Sequence, residues 1–237
     1  MARPDGVVIV SERFWAFAGL DGTVRTGDMP APHELLQRIP LLCGLVRLGA
    51  SLSPLFRRSG VARARERYLL LLAVLAPLAL VLAPEWSRTP GGIVLTIGLL
   101  GWMLRGRTLN LHGAEHRAIG AAEARNLATT WSGETRPSRF APRCGTNFAA
   151  LAAPLTFFAE RLWPFAPALY TPLAVTLVAL SLTMELWLAI QDSSRSLARG
   201  LLLPGLGLQR VTTREPRLDE TRIALTAVAS VLERELA

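Results

Sequence analysis

The chain contains no lysine, so all 26 of its basic side chains are arginines. Cysteine is almost as rare: only Cys43 and Cys144 occur, and this argues against a domain stabilised by disulfides. There are only three histidines, and two of them lie in one five-residue motif. That motif is therefore the place in which imidazole chemistry has to be sought.

Several functional motifs are also missing. The sequence has no glycine-rich phosphate loop, no nucleophile elbow and no Ser/His/Asp arrangement. Residues 1–38 lack the apolar core of a signal peptide, so we expect internal helices to direct membrane insertion. The net charge of +8 and the pI of 11.1 would suit nucleic acid, but no aromatic residues alternate with the arginines. We expect no nucleic-acid partner and attribute the charge to membrane topology and to anionic lipid.

Apolar residues are abundant, at 51% of the chain with a mean hydropathy of +0.33, and they are clustered. A hydrocarbon core of about 30 Å needs about 20 helical residues. The clusters therefore predict a mainly α, polytopic membrane protein, in which the lipid bilayer is the first partner. We expect four transmembrane helices arranged as two hairpins, over 68–86, 91–110, 148–168 and 170–190.

The distribution of arginine predicts the orientation of these helices. Only Arg88 and Arg161 lie at the predicted hairpin tips, and the remaining arginines lie in the segments 1–67, 105–147 and 195–237. The positive-inside rule then places both termini and the central loop in the cytoplasm of a bacterial inner membrane. The expected domains are a β-rich segment 1–37, a membrane domain 38–190 with the loop 105–147, and a C-terminal segment 191–237.

Local patterns predict further elements at both ends. Buried-strand runs at 7–10 and 14–17, followed by the turn dipeptide Asp21-Gly22, indicate a small β unit. Residues 38–56 are apolar but contain Arg47 and Pro54, which favours an interfacial or re-entrant helix. Near the C-terminus we predict a short strand over 206–213. An amphipathic helix over 219–235 follows, with the apolar stripe Ile223, Ala227, Val231 and Leu232.

The most informative motif is H-x-x-E-H, formed by His112, Glu115 and His116 at the end of the second predicted span. On a helix these three residues share one face, because steps of three and four residues nearly complete a turn. Two imidazoles one turn apart can bind one metal ion, and the carboxylate can polarise a bound water. The motif therefore predicts a divalent metal, zinc, bound by His112 and His116, with Glu115 as the catalytic base.

A third ligand has to come from elsewhere, and two carboxylates are candidates. Glu123 shares the helix face but lies about 10 Å beyond His116 along an unbroken helix, so the helix would have to bend near Gly120. Glu185, in the last predicted span, lies at a similar depth to His112. Its alternative role is an ion pair with an arginine at 105 or 107.

Cys144 is a further candidate, and its sulfur is a softer ligand atom than a carboxylate oxygen. It lies in the turn Pro142-Arg143-Cys144-Gly145-Thr146, and as a thiolate it suits zinc well. The neighbouring Arg143 would lower the pKa of the thiol. The alternative is a buried, inert cysteine.

At these residues the chain resembles the YqhQ-like family of bacterial polytopic membrane proteins. The resemblance implies a domain of unknown function and a predicted metal-dependent enzyme. Where the family usually has histidine before the proline of the cysteine turn, this chain has Ala141, and Ala122 replaces a usual tyrosine. The matching blocks are 38–40, 112–116 with Ile119 and Glu123, 142–148, Glu185, Pro204-Gly205, Gln209 and 212–216.

Two functions follow as hypotheses. The first is a membrane-embedded, metal-dependent, hydrolase-like enzyme acting at the cytoplasmic face, by analogy with the H-x-x-E-H peptidases. The second is a non-enzymatic assembly or scaffold protein that binds a protein partner through its cytoplasmic face. In that case the motif would be a structural polar cluster.

Overall fold

The N-terminal segment is an antiparallel sheet. The computed structural model describes residues 1–31, 34–57, 60–81, 83–166, 168, 170–193 and 196–237. The sheet has the strand order β1 (Ala2–Arg3), β2 (Gly6–Val10), β3 (Phe14–Gly19) and β4 (Val24–Asp28). The predicted turn Asp21-Gly22 joins β3 to β4, and Gly22 has a φ of 80°, which favours glycine. The prediction of an N-terminal β unit is confirmed.

The rest of the described chain is mostly helical. Its helices are α1 (Glu34–Gln37), α2 (Leu42–Phe56), α3 (Ala64–Val81), α4 (Glu85–Met103), α5 (Thr108–Glu123), α6 (Leu127–Ser132), α7 (Gly145–Arg161), α8 (Thr171–Asp192), α9 (Ser196–Gly200), α10 (Leu203–Thr212) and α11 (Leu218–Leu236).

The main core forms where α5 and α11 pack on one face of the sheet. Alternate strand residues point into this core, because successive side chains of a strand face opposite sides. Small side chains of α5 let the helix approach the sheet and α11 closely. The fully buried members are Val7, Ala16, Leu111, Ala114, Ala118, Ala121, Ala224 and Ala227. The N-terminal segment, the central loop and the C-terminal helix therefore fold together.

The predicted C-terminal helix is confirmed as α11, and its apolar stripe is partly right. Ala227 and Val231 are buried as expected, while Leu232 is exposed. Leu225 and Val228 are buried in addition. The difference arises because both the sheet and α5 contact this helix, so its buried face is wider than one stripe.

A second group of helices lies beside this core. Helices α7 and α8 pack against each other, α10 packs on α7, and α2 packs on α8. Leu151, Ile190 and Leu202 form the cluster that joins α7, the end of α8 and the residue before α10. The structure confirms a helix within the predicted 38–56, as α2, and its placement at a membrane surface stays a prediction.

The prediction of four transmembrane helices is wrong. Among the described residues, one helix is long and apolar enough to cross a membrane, over Thr171–Gln191. The predicted span 91–110 is divided, because α4 ends at Met103, Gly106 takes a positive φ and α5 begins at Thr108. The apolar part of α4 after Pro90 is then only about 20 Å long, at about 1.5 Å per residue.

The other two predicted spans, 68–86 and 148–168, also do not form helices that are long and apolar enough to cross a membrane, as far as the structure describes them. Helix α3 starts with charged residues around Glu66, and α7 has only 17 residues and ends at Glu160 and Arg161. Residues 82, 167 and 169 also fall in or beside the predicted spans and lie outside the described residues. The multi-pass topology and the orientation derived from it are therefore unsupported.

The predicted strand over 206–213 is also wrong, because this segment belongs to α10. Its apolar and polar residues alternate as in a strand, but Gly205 and Gln209 are both buried, four positions apart. That spacing matches one face of a helix, and α7 covers this face. Packing on α7 decides the helical conformation.

Candidate metal centre

Helix α5 presents both motif histidines on one flank, beside its alanine-rich face. The imidazole rings of His112 and His116 have centroids 4.5 Å apart in an edge-to-face arrangement. The thiol of Cys144 approaches the same point, and one ligand atom from each of the three residues lies within 4.8 Å of the others. Three potential metal ligands therefore meet at one position.

Backbone carbonyls fix the orientation of both histidine rings. Nδ1 of His112 lies 2.8 Å from the carbonyl oxygen of Thr212, and Nδ1 of His116 lies 2.6 Å from that of Arg139. A carbonyl oxygen can only accept, so each Nδ1 donates a hydrogen. When the rings are neutral, both Nε2 atoms keep a lone pair, which is the usual arrangement for a histidine that binds a metal.

Cys144 lies at the N-cap of α7, where its sulfur is well supplied with donors. The backbone N–H and the hydroxyl of Thr146 donate to Sγ at 3.4 and 3.0 Å, and Nε2 of His112 lies 3.1 Å from it. Burial by itself raises the pKa of the thiol, but hydrogen bonds and positive charge from His112 and His116 lower that pKa to about 6. The site therefore favours a thiolate.

The pKa of His112 moves in the complementary direction. Burial would lower this pKa, but the hydrogen bond to Cys144 and the charge of Glu115 outweigh burial and raise it. A thiolate and an imidazolium thus stabilise each other when no metal is present.

Glu115, the predicted base, is nearly buried next to the two histidines. Its Oε1 forms a 2.6 Å ion pair with the amino group of Met1, and its Oε2 is buried without a hydrogen-bond partner among the described residues. Burial would raise the pKa of this carboxyl, but the amino group and the two histidines hold it below its ordinary value. The carboxylate is therefore charged and keeps one oxygen able to accept a proton.

Two buried amide side chains hold the turn that carries Cys144. The side chain of Gln209 accepts from the N–H of Ala141 at 2.9 Å and donates to the carbonyl of the same residue at 2.8 Å. The Asn147 amide donates to the carbonyls of Ala141 and Pro142 at 3.0 and 2.7 Å. Sequence reasoning missed these supports, although Gln209 and 142–148 are among the blocks that carry the family resemblance.

The residues that follow α10 also support the site, because their backbone lies close to that of α5. A side chain at Gly113 would collide with the carbonyl oxygen of Arg214, so only glycine fits between α5 and this segment. Arg117 fixes the same contact, because its guanidinium pairs with Glu215 at 2.7 Å and donates to the carbonyl of Pro137 at 3.0 Å.

The other predicted residues lie elsewhere. Glu123 and Arg143 pair with each other at 3.4 Å, with both side chains more than half exposed. Neither joins the histidines, and the lowered pKa of Cys144 comes from His112 and His116 rather than from Arg143. Helix α5 runs unbroken to Glu123 without the bend that a ligand role would need.

Glu185 is likewise not the third ligand in this arrangement. Its Oε1 accepts from the backbone N–H of Leu41 at 2.8 Å and from the thiol of Cys43 at 3.1 Å, at the start of α2. The expected partner was His112, Arg105 or Arg107. Instead this carboxylate satisfies a free N–H at the first turn of a neighbouring helix.

Comparison with known proteins gives a family without an assigned activity. The sequence profile of DUF1385, described as a protein of unknown function, matches residues 94–234. The uncharacterized protein YqhQ of Bacillus subtilis (strain 168) is 31% identical over 134 residues, which are 54% of this chain and 42% of that protein. The alignment thus spans less than half of that relative. No solved structure matches.

The matched range contains all three residues of the His/Cys cluster, together with Gln209, and it leaves out the N-terminal sheet. The resemblance read from the sequence is confirmed as far as the family. Its metal-dependent activity stays a prediction.

Proposed function

We propose that this chain, which belongs to the DUF1385 family, is a membrane-attached, metal-dependent enzyme of the hydrolase type. The supporting observation is the convergence of His112, His116 and Cys144, with each Nδ1 donating to a backbone carbonyl. Fixing both rings through Nδ1 leaves both Nε2 atoms directed at the position that the sulfur also faces.

The donor set suits zinc. Two imidazoles and one thiolate are ligands that this borderline-soft ion binds well, and three protein ligands are typical of catalytic rather than structural zinc sites. A zinc ion held by these residues would supply a Lewis acid and would lower the pKa of a bound water. Ala141, at the place of the family's usual histidine, contributes only backbone atoms, so the three-ligand set does not depend on that histidine.

Glu115 would act as the proton-transfer group. Its charge is close enough to His112 and His116 for each to lower its pKa, and its buried Oε2 has no partner among the described residues. A buried carboxylate oxygen without a donor is costly, so this oxygen is suited to hold a water or to take a proton from one. Glu123, Glu185 and Arg143 have no role in this proposal.

Membrane attachment rests on α8 and on the apolar surface beside it. Only 33% of the most apolar part of α8 is buried, whereas a core helix would be mostly covered. Large apolar side chains of α7 and of the segment before α8 are exposed as well, among them Phe157, Phe158, Leu162 and Phe165. A lipid bilayer would cover this surface, and the arginine excess would favour acidic headgroups.

Metal analysis of the purified full-length protein tests the proposal. We expect about one zinc per chain, lost on His112→Ala, His116→Ala or Cys144→Ser. The matched control is Cys43→Ser, which changes the other cysteine and should keep the metal. Glu115→Gln should also keep the metal and lose hydrolytic activity. Equal zinc in wild type and in the His112/His116 double variant would refute the metal centre.

Cobalt substitution adds a test of the sulfur ligand. Cobalt(II) bound by a thiolate gives an intense near-ultraviolet charge-transfer band, which Cys144→Ser should remove and Cys43→Ser should leave. Metal binding without this band would contradict the role of Cys144 and favour a different third ligand.

A second candidate is supported by one contact. The sulfur of Cys144 lies 3.1 Å from Nε2 of His112, which is the geometry of a cysteine nucleophile paired with a base. This candidate predicts that the thiol is alkylated by iodoacetamide at neutral pH, equally with and without chelator, and that His112→Ala slows the reaction. Protection of the thiol by zinc favours the metal centre instead. The scaffold hypothesis stays a prediction without an observation of its own.

A further inference from the structure

The last turn of α10 and the residue after it support all three candidate ligands. The carbonyl of Thr212 orients His112, and the side chain of Gln209 holds Ala141 in the turn before Cys144. The third connection runs through Arg139, whose guanidinium donates to the carbonyl of Thr213 at 2.9 Å and whose own carbonyl orients His116. A displacement of α10 would therefore disturb every ligand at once.

The opposite face of α10 is apolar and exposed. The side chains of Leu203, Leu208 and Val211 are 66%, 47% and 66% exposed. Arg210 and Arg214 are exposed beside them, and neither forms an ion pair with a described residue. Apolar side chains flanked by arginines are typical of a helix that lies at the surface of an acidic membrane.

The position of α10 fits the same surface. Leu202, the residue before the helix, packs against Ile190 near the C-terminal end of α8, and α8 is the helix with the length and composition to cross a membrane. If α8 crosses a bilayer, α10 begins where α8 leaves it. The exposed face of α10 then has acyl chains and headgroups within reach rather than bulk water.

A helix of this length depends on packing for its order. With ten residues, α10 is shorter than the roughly 12–15 residues at which isolated helices become even marginally stable. On its inner face Gly205 lies against Asn147 of α7 and Gln209 bonds to Ala141, while Leu203, Leu208 and Val211 on the other side are exposed. Docking of the outer face would therefore raise the population of the ordered helix.

We propose that α10 docks on an anionic lipid surface and that this docking orders the metal centre, so that the site becomes competent only at the membrane. This proposal takes the three metal ligands from the proposed function and adds a way in which the site is regulated. Leu208 and Val211 enter the acyl boundary, Arg210 and Arg214 bind acidic headgroups, and the last turn of α10 then holds His112, His116 and Cys144 in place.

The test uses the full-length protein in nanodiscs of phosphatidylcholine, with and without phosphatidylglycerol. Cobalt(II) is titrated at constant ionic strength, with an internal chelator that corrects for metal bound by the lipid. Hydrogen exchange of residues 203–213 is measured in the same samples. We expect acidic lipid to tighten cobalt binding about fivefold or more, since coupling between two sites is usually at least this large. The protection of α10 should rise in parallel.

Two matched pairs of substitutions separate docking from general effects. Leu208→Ser with Val211→Ser should abolish the response to phosphatidylglycerol, whereas Leu232→Ser with Leu236→Ser, on an exposed face of α11, should leave it unchanged. Arg210→Glu with Arg214→Glu should also abolish it, whereas Arg136→Glu with Arg222→Glu should not. If a test variant and its control respond equally to phosphatidylglycerol, the proposed docking face is wrong.

The remaining outcomes separate a failure of the proposed regulation from a failure of the metal centre. Equal cobalt affinity in both membranes, with normal binding, overturns the coupling and leaves the proposed function standing. Protection of α10 without cobalt binding in either membrane refutes the metal centre, and the regulation falls with it although docking is retained. Protection that follows the protein-to-lipid ratio instead of lipid charge would identify a protein-binding face and overturn the proposal.

Discussion

At the scale of single residues, the two cysteines show that neighbouring groups shift the pKa of the same side chain in opposite directions. Cys144 receives hydrogen bonds from Thr146 and lies against His112, and its pKa is lowered to about 6. Cys43 donates to the carboxylate of Glu185, and this hydrogen bond, with burial, raises its pKa. One thiol is prepared as an anion, while the other is held in its neutral form by a neighbouring negative charge.

This contrast predicts the titration of the metal-free protein. In a Cys43→Ser variant, the ultraviolet absorbance of the thiolate should rise with a midpoint near pH 6. In Cys144→Ser, the remaining thiolate should appear only above the ordinary range of cysteine, about pH 8.5. A common midpoint for both variants would show that the contacts of the sulfur atoms do not control their charge.

The same pKa shift predicts how zinc binding and stability depend on pH. A cysteine whose pKa is lowered on folding stabilises the folded state fully above its unfolded pKa, and this contribution is lost as the pH falls through the folded value. Protons also compete with the metal for the thiolate. Equilibrium dialysis should therefore show zinc affinity falling as the pH drops towards the pKa of Cys144 near 6, and the raised pKa of His112 adds to this loss. Affinity that does not change between pH 7 and pH 5 would argue against a thiolate ligand.

At the scale of elements, the contact of α10 with α7 decides the geometry of the site. A β-carbon at Gly205 would lie within clash distance of the Asn147 side chain and backbone, whereas one at Gly207, two residues later in α10, would meet open space. A larger side chain is therefore excluded at the first of these positions and tolerated at the second. The first permits close approach, and the second only lowers helix propensity.

Alanine substitutions at these glycines should therefore have opposite effects. Gly205→Ala should destabilise the fold by about 1–3 kcal/mol through overpacking, and it should weaken zinc binding because Asn147 and Gln209 support the cysteine turn. Gly207→Ala should stabilise it by about 0.5–1 kcal/mol through reduced backbone entropy of the unfolded chain. Thermal unfolding with and without zinc measures both. Equal destabilisation would mean that the approach of α10 to α7 is not tight.

At the scale of the whole molecule, the fold combines two surfaces of different character. The sheet, α5 and α11 form a compact core, and α11 exposes charged side chains such as Asp219 and Glu233. Beside it, α7 and α8 expose large apolar side chains. The His/Cys cluster lies between these parts, because α5 supplies two of its residues and the start of α7 supplies the third.

This division predicts how the protein is retained in cells. It should sediment with membranes, resist an alkaline carbonate wash and be released by detergent. Leu177→Arg, on an exposed position of α8, should shift it out of the membrane fraction, because an arginine in a membrane helix costs about 3 kcal/mol on insertion scales. Leu236→Arg, on an exposed position of α11, is the control and should have no effect. Release of wild type by the wash would exclude α8 as a membrane anchor.

The sequence by itself determined the features that depend on near neighbours. The pairing of His112 with His116 follows from the helical repeat. Strands β2 and β3 follow from continuous apolar runs and a turn dipeptide, and α11 follows from its apolar stripe. Each needs only interactions within a few positions of the chain. Such interactions are encoded directly in the order of residues.

Only the tertiary structure decided which side chain joins the two histidines, which residues support them and how many long apolar helices there are among the described residues. Cys144 is 32 positions from His112, and the choice between it, Glu123 and Glu185 depends on which helix start packs against α5. The carbonyls of Thr212 and Arg139 leave no trace in the sequence, because every residue has the same backbone oxygen. The helical form of 203–212 likewise depends on packing against α7, which outweighs the local pattern where that pattern is ambiguous.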